Sequence, residues 1–213
     1  MQFMGKTETR KQLFINKDIA PAITFELNGF DFFYDIVGLD DITKREIDTI
    51  LSDMKRLPAA LGGYHGDYIG GLYDHTLLVV NYVYFLSGSL HDKSMEKKAI
   101  IAAITHDFGK VDYYGYKLDL ENRKIRLDFN DANDVRSQLT SRFNVSGKDK
   151  HVENCVAIIK KYLTNYDVLF DDEMYIAIMF HHGSWSQYRP HKPNTMASLL
   201  HVADMVASQI LKI

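Results

Sequence analysis

Over most of the chain the apolar residues recur with helical spacing, in blocks parted by short polar or glycine-rich breaks. The first thirty or so positions are the exception. There Phe14, Ile15, Ile23, Phe25 and Leu27 fit no helical period and predict one or two short strands or an irregular arm. After Leu39-Asp40-Asp41, the positions Ile42, Ile47, Ile50, Leu51 and Met54 predict a helix capped by Asp41. Gly62, Gly63, Gly70 and Gly71 then break the chain on either side of Tyr64-His65-Gly66-Asp67-Tyr68. From Asp74 onward a helix apolar nearly all round, with Leu77, Leu78, Val79, Val80, Val83 and Phe85, belongs at the centre of a core. Another is predicted over 94–107, carrying Ala99 to Ile104 inside and stopped by Gly109.

Between 113 and 129 the period changes to two. Tyr116 to Leu120 and Lys124 to Asp128 alternate about Glu121-Asn122-Arg123, which predicts a small β-hairpin. Helical spacing resumes over roughly 131–143, 148–163, 171–182 and 194–211. With no internal repeat or low-complexity linker, the expected architecture is all-α with one hairpin. Residues 1–55 form an N-terminal arm and helix packed on the core, and 56–213 form the main domain.

Composition narrows the possibilities. Hydrophobic residues make up 46% of the 213, enough to bury a core. The one cysteine, Cys155, lies in an apolar run and reads as a small buried hydrophobe; no intramolecular disulfide can form. A formal charge of −3 argues against a bulk nucleic-acid binder, yet a nucleotide substrate is compatible, because a bound dication can supply local positive charge. No apolar run reaches the ~18 to 20 residues that span a bilayer, and Met1 to Arg10 has no hydrophobic stretch of a secretory signal. The expected location is cytoplasmic, with no membrane partner.

The chemistry is carried by histidines and two aspartates. His75 opens the central apolar helix, and His106-Asp107 ends the next. His151 begins a third helix, His181 and His182 end a fourth, and Asp204 sits inside the last one, among Leu199, Leu200, Val202, Ala203 and Met205. A lone histidine on an apolar face is commonly just a hydrogen-bonded core residue. An unpaired buried carboxylate is not bland: it costs several kcal/mol, so Asp107 and Asp204 need a cation, a donor network or solvent. Two acids and several neutral imidazoles satisfy one another by sharing metal ions, and that donor set suits Zn, Fe, Mn, Co or Ni better than Ca or Mg.

His75, His106-Asp107 and Asp204, in that order on helices, resemble the H…HD…D signature of the HD phosphohydrolase superfamily. Gly70-Gly71-Leu72-Tyr73-Asp74-His75-Thr76 is similar to its GGLLEHT-type stretch, and His106-Asp107-Phe108-Gly109-Lys110 to its HDxGK form. The resemblance covers about residues 55–210 and implies a helical fold around a metal site that hydrolyses phosphomonoesters or phosphodiesters. Members with two metals add a later histidine and one or two more before the final aspartate. His151 and the His181-His182-Gly183 pair fit that larger pattern, with either His181 or His182 facing inward. On the two-metal reading His75, His106, Asp107 and Asp204 hold one divalent transition-metal ion, and Asp107, His151, His181 and His182 a second.

The resemblance also suggests that Lys110 neutralises a phosphate oxygen; the alternative is a helix-terminal cation that offsets the dipole. His65 either contacts substrate or protonates the leaving group, or is a surface loop histidine. Arg189 is a further candidate for phosphate contact. The stretch from Leu57 to Thr76 is also similar to the HD domain of bacterial 3′→5′ exoribonucleases. Those carry an OB-type domain ahead of it, for which the first 55 residues here are too short. The expected substrate is therefore a nucleotide or a short single-stranded end. Three activities stay open: a nucleotide phosphohydrolase, a nuclease trimming single-stranded 3′ ends, and a non-catalytic nucleotide- or metal-binding regulatory module.

Overall fold

A computed structural model describes residues 12–13, 25–116, 139–141, 151–186, 190 and 192–213. Strands β1 (Gln12–Leu13) and β2 (Phe25–Glu26) pair antiparallel, in keeping with the short strands predicted for the N-terminal region. Helix α1 (Phe30–Val37) buries Phe30, Phe33 and Tyr34; its eight residues are too few for the sequence pattern to separate it from the arm before it. Helix α2 (Asp41–Met54) is capped one residue earlier than predicted. Asp40 has extended backbone and accepts from the Ile42 and Thr43 N–H groups, whereas Asp41 is already helical.

The centre is a layer of long helices. Helix α3 (Gly71–Gly88) packs on α4 (Lys93–Thr105), which is capped by Asp92. Beyond a turn at His106–Gly109 come the short α5 (Lys110–Tyr113), then α6 (His151–Tyr162), the short α7 (Tyr166–Leu169) and α8 (Asp172–Phe180). Helix α9 (Thr195–Met205) continues without a break as a π-helical turn, Val206–Leu211. Helix α9 lies against α3, α4 and α8, while α6 lies against α5 and α8. Leu72, Leu78, Ile100, Ile104, Phe108, Ile159, Leu163 and Met174 are fully buried where these helices meet. Phe33, Tyr34, Ile47 and Met54 of α1 and α2 join the same apolar cluster. Among the described residues no helix is long and apolar enough to cross a membrane.

One predicted element needs correction. Leu139–Ser141 was expected inside a helix over 131–143 but is a strand, β4, paired antiparallel with β3 (Tyr114–Tyr116). Both Tyr114 and Leu139 bury their side chains to 5% exposure, so tertiary pairing overrides the local helical spacing. No hairpin within 113–129 is seen among the described residues, and 117–129 lies outside them. Gly109 is not a left-handed helix stop either, since its φ is −61°. A Cβ there would sit 2.6 Å from the Cys155 nitrogen and closer still to the His151 carbonyl. The glycine is what lets the backbone after α4 touch the start of α6. Gly109→Ala is therefore expected to cost about 1–3 kcal/mol through forced separation of the two backbones. A urea melt would show this as a lowered midpoint at unchanged slope; wild-type stability would sink the close-contact argument.

Candidate metal centre

The histidines and aspartates stand where helices start and stop, and the packing brings those ends to one point. His75 is one turn into α3, and His106 and Asp107 form the turn leaving α4. His151 starts α6, His181 and His182 leave α8, and Asp204 lies in the last turn of α9. His75, His106, Asp107, Lys110, His151, His181 and Asp204 are all between 0 and 5% exposed.

Asp107 occupies the middle. Its Oδ2 faces His75 Nε2 at 3.7 Å, His106 Nε2 at 3.5 Å and Lys110 Nζ at 2.9 Å. Its Oδ1 faces His151 Nε2 at 3.4 Å and His181 Nε2 at 3.7 Å. Asp204 Oδ1 lies 3.1 Å from His75 Nε2. The ligand atoms fall into three mutually close sets: His75, His106 and Asp204; His106, Asp107 and His181; and His151, His181 and His182. All seven residues predicted to bind metal are thus brought together. His181 faces Asp107 and belongs to two of the sets, whereas His182 belongs only to the outer one.

Hydrogen bonds at the far side of the rings decide what these nitrogens offer. A carbonyl can only accept, so Nδ1–H donates in each case: His75 to Ile213 O at 2.7 Å, His106 to Ala103 O at 2.7 Å, and His181 to Ile178 O at 2.6 Å. In a neutral ring Nε2 is then the lone-pair nitrogen, and in these three rings it is buried without a hydrogen bond. Burial, then the neighbouring His182, drives the His181 imidazole well below its usual range; burial also lowers His106. His182 falls to about 4, through burial and then the adjacent His151. Burial alone would raise Asp107, but Lys110, His106 and His151 outweigh it and hold the carboxyl well below the usual carboxylate range. Asp204 is lowered too, against its burial, by His75. Neutral imidazoles turned toward ionised carboxylates set acceptor against acceptor. A divalent cation between them resolves that conflict, so this donor set fits a metal.

The remaining predicted residues divide. Lys110 is not a solvated helix-end cation: it is 5% exposed, and its interaction with Asp107 raises its pKa despite burial. His65 is not a surface histidine either. Its ring centroid is 4.9 Å from that of His75, and burial, followed by His75 and Lys110, pushes its imidazole down to about 2. Arg189 lies outside the described residues. A cleft of about 550 Å³ opens over the site, with Lys110, His151, His182 and His65 below and Ala59, Leu61, Tyr64 and Tyr113 on its walls.

Residues to which the sequence reading gave no part in the site hold its side chains from behind. The Cys155 thiol donates to His106 O at 2.7 Å and accepts from the Gly109 N–H at 3.2 Å. Its position four residues after His151 places it on the same face of α6, a signal the spacing did contain. His201 Nδ1–H donates to His181 O at 2.7 Å.

Helices whose ends converge on histidine and aspartate side chains define a helical protein with a buried cluster able to hold a metal ion. Matched against models of protein families, residues 72–208 fit that of the HD domain, a span of more than half the chain that includes every residue from His75 to Asp204 named above. The chain belongs to the HD domain family. Comparison with curated proteins and with solved structures gives no match.

The different placements of the two adjacent histidines predict different losses. His181→Ala, which breaks two of the three sets, is expected to lower the divalent-metal content of the purified protein most, and His182→Ala, which breaks one and leaves two intact, to lower it less. Elemental analysis of both variants checks this; equal loss would contradict the division into an inner and an outer histidine.

Proposed function

We propose that the chain is a metal-dependent phosphohydrolase that cleaves phosphomonoester or phosphodiester bonds of nucleotides. The observation that carries the reading is the division of Asp107: one oxygen faces His75, His106 and Lys110, the other His151 and His181, and of these Lys110 and His151 line an open cleft. On this reading His75, His106 and Asp204 hold one divalent transition-metal ion, and His151, His181 and His182 hold another, with Asp107 shared between them. Such ions, when bound, acidify water and polarise phosphoryl oxygens.

The chain's own groups supply the rest. Lys110 Nζ lies at the cleft floor beside Asp107, where it neutralises a non-bridging phosphate oxygen. His65, held neutral by its surroundings, orients substrate through a hydrogen bond and does not carry a proton in advance. A volume of about 550 Å³ lies within the ~300–1,000 Å³ range of small-ligand sites, and Leu61, Tyr64 and Tyr113 offer an apolar wall for a base. Openness to solvent on the Tyr64 side, where that ring is 74% exposed, keeps a nuclease acting on short single-stranded 3′ ends as the second reading.

The test is incubation of the protein, loaded with Mn, Fe, Co, Ni or Zn, with nucleoside monophosphates, cyclic dinucleotides and an end-labelled oligonucleotide. Release of phosphate or a linear nucleotide is expected. A ladder of shortened oligonucleotides favours the nuclease, and binding without product a regulatory module. Lys110→Ala is expected to reduce turnover on the order of 10²-fold, as for other lost oxyanion donors, while metal content stays at the wild-type level. Loss of metal in that variant would make Lys110 structural instead.

A further inference from the structure

The metal centre leans on a piece of main chain that lies outside the matched family span. Past the π-helical turn, Lys212 adopts a left-handed conformation (φ 62°, ψ 30°), rare for a residue with a Cβ. The reversal turns the following carbonyls inward. Lys212 O accepts from the Gly66 N–H at 3.1 Å, and Ile213 O accepts from His75 Nδ1–H at 2.7 Å. The Ile213 side chain is 4% exposed in the core, and its N–H bonds to Ala207 O at 3.1 Å, so the turn is anchored at both ends.

His75 differs from its neighbours in this respect. His106 and His181 draw their Nδ1 acceptor from three residues back on their own helices, so the ring orientation is set locally. The acceptor for His75 is 138 positions away in sequence, and the Leu72 carbonyl one turn back is taken by Thr76. The same short segment also ties down the loop that carries His65. Gly66 is left-handed at φ 55°, and a Cβ there would stand 2.6 Å from that of Ala59. Gly66 therefore packs directly on the cleft wall, held by the Lys212 carbonyl.

We propose that the Lys212–Ile213 main chain is a positioning element of the metal centre, fixing the tautomer of His75 opposite Asp204 and seating the His65 loop over it. The proposal rests on the reading of His75 as a ligand.

Backbone shape, not side-chain chemistry, is the quantity to vary, and Lys212 is exposed. Lys212→Val disfavours the left-handed turn, Lys212→Gly permits it, and deletion of Lys212 and Ile213 removes both acceptors. Three readouts apply: Mn or Zn affinity of the metal-free protein by calorimetry, the His75 tautomer by ¹⁵N NMR of the imidazoles, and the metal-free melting temperature. The valine variant and the deletion are expected to bind the cation about 10–100-fold more weakly, as for lost partners behind a ligand. They should also lose the Nδ1–H tautomer of His75, with Lys212→Gly retaining both properties. Unchanged affinity and tautomer in the deletion would overturn the proposal, as would a glycine variant as impaired as the valine one. If the deletion does not fold, the valine and glycine pair decides. If the wild type binds no cation, the ligand reading fails, while the tautomer measurement still judges the positioning role.

Discussion

A carboxylate sunk to 1% exposure among helix ends constrains everything around it. Asp107 cannot be left uncompensated there, since isolated buried charge costs several kcal/mol. Lys110 offsets one negative charge, but Asp204 brings a second, and burial holds the His106 and His181 imidazoles, which approach Asp107 at 3.5 and 3.7 Å, in the neutral form. The interior is thus left with more acceptors than donors and more negative than positive charge. A hydrophobic core would not tolerate that balance without a cation. The same imbalance that would be a defect in an ordinary bundle is what fits this one to hold a metal ion.

Holding such a pocket open requires that the ligand-bearing helix ends not collapse into better contacts. The structure ties each from behind. Cys155 grips the turn that carries His106 and Asp107, and Gly109 permits the contact by lacking a Cβ. His201 holds the carbonyl of His181, while Ala103 and Ile178 fix the rings of His106 and His181. The bonds run ring to carbonyl and thiol to carbonyl, short and directional. They select one tautomer for each ring as well as one place for it.

This layering explains what the sequence could and could not say. The ligands were legible because an aspartate or histidine amid Ile104, Phe108, Leu200 and Ala203 violates the expected pattern and demands chemistry. Their supports were not, because a cysteine in an apolar run, a glycine after a helix and a carbonyl of Ile213 conform to bland patterns. Gly109 looked like a helix stop when its role is contact. The error over Leu139–Ser141 has the same origin: helical spacing is a local signal, and the pairing with Tyr114–Tyr116 is not. The cap at Asp40 instead of Asp41 is a one-residue ambiguity between two equally good capping side chains. The long apolar helices α3 and α4, whose period is repeated over many turns, were read correctly in type and nearly in extent.

The two histidine sets are not equivalent with respect to solvent, and this has a chemical consequence. His151 and His182 line the cleft together with Lys110 and His65, while the set of His75, His106 and Asp204 lies behind them. Anything entering from solvent therefore meets the His151–His182 side first and reaches Asp107 between the two sets. Lys110 stands on the Oδ2 side of Asp107 and His151 on the Oδ1 side. The inner set has an aspartate and no cleft-lining member. The outer set is all histidine, and two of its members, His151 and His182, line the cleft. Asp107 reaches both sides: its Oδ2 faces His75 and His106, and its Oδ1 faces His151 and His181, so one carboxylate joins the buried set to the cleft-lining one.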